Sequence, residues 1–406
     1  MVSVFILLYI LCFGQIFSPL YGITPENANA LGHLHYALVK REPLKNILEI
    51  INKDIADTNV GDFHGMTSFL IASLSGDPEL IKYMLTKRPQ LYTVDFEGKN
   101  ALMYVAGSKN IPDTVHASES LTLLLVNNAY DNTAQALTLA ARAGHVSKVA
   151  TLLQRIPVYS KLELQDLAHR LELLENTYKK ITLTIQAAKK NLRFSAAIEN
   201  KQVPSYSLKT DFVIENLGEV YRDIFSSKIF TASTQAKLDS LQSINTQDTW
   251  NMTPLMIAAK GKNLAMFSYV LAKKPEWRLY DTAGDTALVF AAGNEMNQGL
   301  LLSDMILTKD NSGLTHAEEL REKISFEMVE QLFAQIIPPT ENPDYFSYAL
   351  QAAIKAGFSS VVEVLLKHGF YTLNQLTYAE QQIEELLKNY RKIIVLLQKK
   401  INSSKS

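Results

Sequence analysis

At 406 residues the chain is long enough for one extended core or two globular ones. Hydrophobic residues make up 47% and charged residues 20%, an ordinary balance for a folded protein that argues against intrinsic disorder. With 40 basic and 41 acidic side chains the formal charge is -1, so bulk electrostatics select neither nucleic acid nor an anionic membrane as partner.

Residues 1–22 contain no Lys, Arg, Asp or Glu, and Val4 to Phe17 is an apolar run followed by Ser18, Pro19 and Gly22. Its length fits a signal-peptide core better than a membrane span, which needs about 20 apolar residues. The expectation is an exported protein, secreted or periplasmic, with a mature start near Ile23. The alternative is an anchor formed by residues 2–21. Cys12, the only cysteine, lies inside this run, so a mature chain would form no disulfide and no thiolate metal site.

Leu34-His35-Tyr36-Ala37, followed by Leu44 to Ile51, reads as a degenerate helix pair that caps what comes next. Four segments then share one spelling. They begin at Asp62 (Asp-Phe-His-Gly-Met-Thr), Asp95 (Asp-Phe-Glu-Gly-Lys-Asn), Asp248 (Asp-Thr-Trp-Asn-Met-Thr) and Asp281 (Asp-Thr-Ala-Gly-Asp-Thr). Asp can accept hydrogen bonds from backbone N–H groups of a turn, and Gly or the tolerant Asn251 supplies a left-handed residue. Thr67, Asn100, Thr253 and Thr286 suit helix N-caps, and Pro254 suits a first helical turn. Each turn leads into two short helices. In the third, Thr253 to Gly261 is one and Leu264 to Leu271 the next, with Ala258 and Ala259 small enough for close packing. Gly261 is expected to end the first helix and reverse the chain.

Two further units lack the turn but keep the helices: Ala136 to His145 with Val146 to Leu153, and Ala349 to Phe358 with Val361 to Leu366. Longer helical tails follow, Leu162 to Leu192 and Leu373 to Ile401. Leu167, Leu171, Leu174, Tyr178 and Ile181 recur at helical spacing in one, and Ile383, Leu386, Tyr390, Ile393 and Leu397 in the other. Each stripe is expected to pack on the last repeat and close its open end. A coiled-coil or dimer contact is the alternative.

The whole arrangement occurs twice. Thr67 recurs as Thr253, Asp95 as Asp281, and Ala106 as Ala292, all at one constant offset. A longer insertion in the second copy then widens the offset, which is larger between Leu137 and Leu350 and one position shorter again between Tyr178 and Tyr390. The chain divides into a leader (1–22), a first block with tail (23–192), a connector (193–246) that could hold a degenerate repeat, and a second block with tail (247–406). Insertions at 107–118 and 293–326 interrupt the turn between helices in each block.

The 33-residue step from Asp62 to Asp95 and from Asp248 to Asp281 is the ankyrin period. With Thr253-Pro254-Leu255 and Ala258-Ala259 at signature positions, the chain resembles the ankyrin-repeat family. The resemblance implies an all-α solenoid of helix-turn-helix units that binds another protein, without catalytic activity, cofactor or metal, and monomeric. Ankyrin partners usually lie on the concave face, near the hairpin tips. Carried over, the tip residues are Phe63, His64, Phe96, Glu97, Thr249, Trp250, Thr282 and Ala283. Exposed aromatics such as Phe63, Phe96 and Trp250 would serve as interface anchors; the alternative is that each packs on the adjacent tip. No nucleic acid is expected as partner, and no membrane beyond the leader.

Other chemistry is weaker. The histidines show no helical i, i+4 ligand pair, and His35, His145 and His368 sit at repeat landmarks. Thr308 to Glu319 partly follows a calcium loop, with Asp310, Ser312, Gly313 and Glu319 in ligand positions, but Thr308 stands where the first carboxylate belongs. Two rival functions remain at this level: an enzyme with its site in the insertions or the Lys201 to Ser243 connector, and a structural protein held at a membrane by the leader.

Overall fold

In the computed structural model the described residues are 23–107, 115–127, 132–156, 159–190, 209, 211–227, 229–293, 316–335, 344–369 and 371–403. The leader, most of both insertions and the calcium-like loop lie outside them. Among the described residues all regular structure is helical. The first block runs α1 (Pro25–Val39), α2 (Leu44–Lys53), α3 (Ser68–Ser75), α4 (Pro78–Thr86) and α5 (Ala101–Gly107). It continues with α6 (Val115–Val126), α7 (Thr133–Arg142), α8 (Val146–Arg155) and the long α9 (Lys161–Lys190). The second block runs α10 (Asp211–Ser227), α11 (Ala232–Asp239), α12 (Pro254–Lys260), α13 (Leu264–Ala272) and α14 (Ala287–Ala292). It ends with α15 (His316–Gln335), α16 (Asp344–Ala356), α17 (Ser359–His368) and α18 (Leu373–Ser403).

The offsets read from the sequence govern the helices too. The start of α10 follows that of α1 by the same offset that separates Thr67 from Thr253, and so does the start of α12 that of α3. The starts of α8 and α17 keep the wider offset of Leu137 and Leu350, and those of α9 and α18 keep that of Tyr178 and Tyr390. The stretch read as a connector therefore holds a helix pair, α10 and α11, at the place of α1 and α2.

Within a block the first helix of each unit is sandwiched between its neighbours and the second helices. All seven residues of α5 and all six of α14 are buried, so these helices carry apolar or small side chains all round. The outer helices are one-sided: in α4, Leu80, Ile81 and Met84 are buried while Lys82 faces solvent. Each fully buried Leu or Ile contributes roughly 2 kcal/mol by leaving water.

The turns form as the residue types require. Asp62 Oδ1 accepts from the backbone N–H of His64 (2.8 Å) and of Met66 (2.9 Å), and Asp248 Oδ1 from Trp250 (2.9 Å) and Met252 (2.8 Å). Gly65 is left-handed at φ 76, and its place in the next turns is taken by Gly98, Asn251 (φ 57) and Gly284. Thr67, Asn100 and Thr253 cap their helices. Thr286 stands at the N-cap of α14 but makes no cap hydrogen bond.

Two local expectations are corrected. Gly261 is right-handed, at φ -74, and the reversal falls on Lys262, at φ 51. A side chain at Gly261 would meet Ile224 of α10 at 2.5 Å, so this glycine serves close packing. The tails also differ. α9 lies along α17 of the second block, α18 lies along α8 of the first, and the two tails pack on each other. Each tail thus covers the last outer helix of the opposite block rather than of its own, and the tail-to-tail contact is made within one chain.

Candidate functional site at the hairpin junction

Among the described residues the blocks meet at two places. One is the tail pair; the other is formed by the hairpins that the sequence marks for binding. There, two turn aspartates each use one oxygen for their own turn and the other for a ring of the opposite block. Trp250 Nε1 donates to Asp62 Oδ2 (2.6 Å), and His64 Nε2 lies 3.0 Å from Asp248 Oδ2, which places the proton on Nε2. Trp250 holds the place of His64 in the second block, as Asp248 holds that of Asp62, so the two bonds are mates across a pseudo-two-fold axis.

Aromatic stacking repeats the relation. His35 of α1 stacks on Trp250 (3.7 Å between ring centres) and Trp250 on His64 (4.8 Å), while His64 meets Tyr221 of α10 at 4.0 Å with the rings tilted by 52°. Tyr221 holds the place of His35 in the second block, so the row His35, Trp250, His64, Tyr221 reads the same from either end. Phe225 extends it beyond Tyr221 at 4.3 Å. Within each block neighbouring hairpins are joined by backbone: Phe96 N–H donates to His64 O (3.1 Å) and Thr282 N–H to Trp250 O (2.9 Å).

The charged part is one-sided. Glu97 receives Lys99 Nζ (2.5 Å), Lys260 Nζ (2.6 Å) from α12 of the other block, and Tyr221 OH (2.8 Å). Its side chain is 4% exposed. Burial pushes the Glu97 carboxyl up, but the two ammonium groups outweigh it and hold it below the usual carboxylate range. Burial raises Asp95, aided by the Glu97 charge; Tyr104 donates to its Oδ2. Burial pushes His35 down to about 3, with the neighbouring His64 and Lys260 adding to the effect.

The eight tip residues are thus not an open surface, which corrects the expectation of exposed anchors. His64, Thr249, Trp250 and Thr282 are buried, and the Glu97 carboxylate is closed in by lysines. Thr282 Oγ1 is 2.9 Å from His35 Nδ1. Phe63 is half-buried, its ring pressed on Gly218 of α10, where a Cβ would lie 2.2 Å away. Phe96 and Ala283 are half-buried. The physical reason is that the opposite block meets several of them: Asp62 takes the Trp250 indole, Asp248 the His64 ring and Lys260 the Glu97 carboxylate, while His35 lies against Thr282. The adjacent-tip alternative is seen in the backbone bonds between neighbouring hairpins.

Sequence reasoning missed Tyr221, Lys260 and the role of His35. The signal was present for one of them, since Tyr221 lies at the His35 position of the second block. The charged groups of the junction face one another. A groove of about 310 Å³ opens elsewhere, between α9 and α18 beside Gln165, His169, Glu172 and Gln398. Among the described residues no three His, Cys, Asp or Glu side chains are grouped to hold a metal.

Residues 237–291, from the end of α11 into α14, match the family model for ankyrin repeats (many copies). No curated protein matches the chain. It is similar to the crystal structure of the ankyrin repeat domain of Bcl-3, described as a unique member of the IkappaB protein family. The identity is 15%, over 69% of this chain and 98% of that one, with a TM-score of 0.24. Residues 237–291 are thus similar to ankyrin repeats, and among the described residues the regular structure is all-helical, in two blocks of like order that pack on each other.

Proposed function

We propose that the chain is a non-catalytic scaffold that binds another protein and works outside the compartment where it is made. The observation that supports binding is the repeat fold, a common frame whose specificity lies in surface side chains. With the tips closed in, aromatic surface open to a partner is found at the exits of the outer helices. Tyr92 after α4 is 58% exposed, and Arg278 lies over the ring of Trp277 after α13 at 5.3 Å. Tyr92 and Arg278 occupy the same position in the two blocks, so matching shoulders carry different side chains. Export rests on the apolar leader at 1–22; no helix among the described residues is long and apolar enough to cross a membrane.

The test is capture of a partner by the purified mature chain, followed by Tyr92→Ala with Arg278→Ala. Expected is loss of capture, by about tenfold or more, with an unchanged melting temperature. Capture that survives the double change removes the shoulder from the account, and failure to find any partner of micromolar affinity removes the scaffold. N-terminal sequencing of the exported protein checks the leader: a start near Ile23 excludes the anchor formed by residues 2–21.

A further inference from the structure

The ring-to-carboxylate bonds and the backbone bonds between hairpins have mates across the pseudo-two-fold axis, but the ion network does not. Exchange of the blocks, in the register that puts Asp62 on Asp248, puts Leu74 at the place of Lys260, Ala283 at that of Glu97, and His35 at that of Tyr221. The network therefore makes the two faces of the junction different.

Consider the pairings this permits. Two first blocks would set Glu97 and Lys99 against Leu74 and His35, with no second ammonium for the carboxylate. Two second blocks would set Lys260 against Ala283, with Asp285 at the place of Lys99. Either like pairing forgoes the buried contact between Glu97 and Lys260, so the unlike pairing is favoured. One first block with one second block makes the unlike contacts: Lys260 reaches Glu97 (2.6 Å) and Tyr221 (3.0 Å), while His64 and Trp250 find Asp248 and Asp62. The tail pair asks for the same combination. Tyr178 OH donates to Lys355 O (3.3 Å) and Tyr390 OH to Arg142 O (2.8 Å), each from one block to the other.

None of these contacts requires that the two blocks belong to one chain. Residues 191–210 are the sole covalent link between them, and a second copy offers an identical first and second block. A short tether gives the cis pairing a high effective concentration, so a normal chain closes on itself.

We propose that the hairpin junction is a self-recognition surface coded by Glu97 and Lys260, through which the first block of one chain binds the second block of another when its own is mismatched. This does not depend on an outside partner, and failure to find one leaves it standing.

The experiment uses two full-length mature chains, Glu97→Lys and Lys260→Glu. Each alone has like charges at its junction. Mixed by co-expression or co-refolding, they can form an exchanged pair with one normal and one reversed junction, both complementary. Expected is a heterodimer of twice the monomer mass, at least tenfold more abundant than in either variant alone. The wild type and the cis double variant, Glu97→Lys with Lys260→Glu, are expected to stay monomeric, the double variant melting above both single ones. A mixture without heterodimer overturns the proposal, as does a double variant no more stable than the singles. Insolubility of both chains even when co-expressed also overturns it, because the exchanged pair contains no like-charged junction.

Discussion

The hairpin junction and the tail pair cross the same pseudo-two-fold axis, and they are made of different material. At the tails Leu167, Leu171, Tyr178 and Ile181 meet Ile383, Tyr390, Ile393 and Leu397, all buried. The charges lie at the margins, as in Arg391 with Glu175 (2.9 Å) and Lys189 with Glu380, and they align the helices antiparallel. Acids fall mostly in the first half of each tail and bases mostly in the second, so antiparallel packing sets opposite signs side by side and also suits the helix dipoles. At the junction the rings are polar and the charges buried. Apolar burial is non-directional and holds the blocks together; the buried pairs are intolerant of the wrong neighbour and decide which surfaces meet.

The difference is broken most severely at Trp250. Trp250→Ala removes a buried ring from between His35 and His64 and leaves Asp62 without its indole donor. We expect a loss of about 4 to 5 kcal/mol in denaturant unfolding. The half-buried Phe96→Ala is expected to lose clearly less. Equal losses would mean that the ring row is not what closes the junction.

His35 makes the junction sensitive to acid in a way the tails are not. Its folded pKa, near 3, lies below the unfolded value of 6.5, so the neutral ring is favoured in the folded state. Its contribution is complete above pH 6.5 and declines as pH falls toward 3, amounting to about 3 kcal/mol lost by pH 4. Burial shifts Asp95 upward, which acts in the opposite sense between its unfolded and folded pKa, so the wild type alone is a poor readout. His35→Phe keeps a ring on Trp250 and cannot titrate. The stability of wild type relative to this variant should fall by that amount between pH 7 and pH 4; a constant difference would place His35 outside the account.

Next comes Glu97→Ala, which strips Lys99 and Lys260 of their shared carboxylate and should lose about 2 to 3 kcal/mol. The margin pair of the tails offers the contrast. Arg391 is 64% exposed, and Arg391→Ala should change stability by less than about 1 kcal/mol. A reversal of that order in thermal melts would show that the tail charges, not the junction network, fix the pairing. The smallest effect is at the tail tyrosines. Tyr178→Phe and Tyr390→Phe each remove one hydrogen bond to a helix-end carbonyl and should lose about 1 kcal/mol apiece. Markedly unequal losses would show that the symmetry seen in their contacts does not extend to energy.

The helix pairs are legible in the sequence because turn chemistry and 33-residue spacing are local. Asp62, Gly65 and Thr67 declare a turn and a cap whatever lies beyond them. The tail helices are equally plain from their stripes. What covers a buried face is another matter, since periodicity says that Tyr178 points inward but not that Arg142 and Lys355 receive the two tail hydroxyls. The tips mislead for the same reason. Trp250 reads correctly as a ring in need of a partner, and that partner lies 188 residues back, in Asp62. His35 reads as a repeat landmark, although its mate Tyr221 stands in the second block at the matching position. Lys260, beside Gly261, carries no pattern at all; only the folded chain brings it to Glu97.

The closure of the two blocks is tested most directly by Trp250. The chain has two tryptophans, and Trp277→Phe leaves Trp250 alone. At 9% exposure and stacked between two histidines, that indole should be shielded from iodide, with a quenching constant several-fold below that of free tryptophan. Quenching like that of the free amino acid in a chain with full helical signal would contradict the closed junction and return the hairpin tips to solvent.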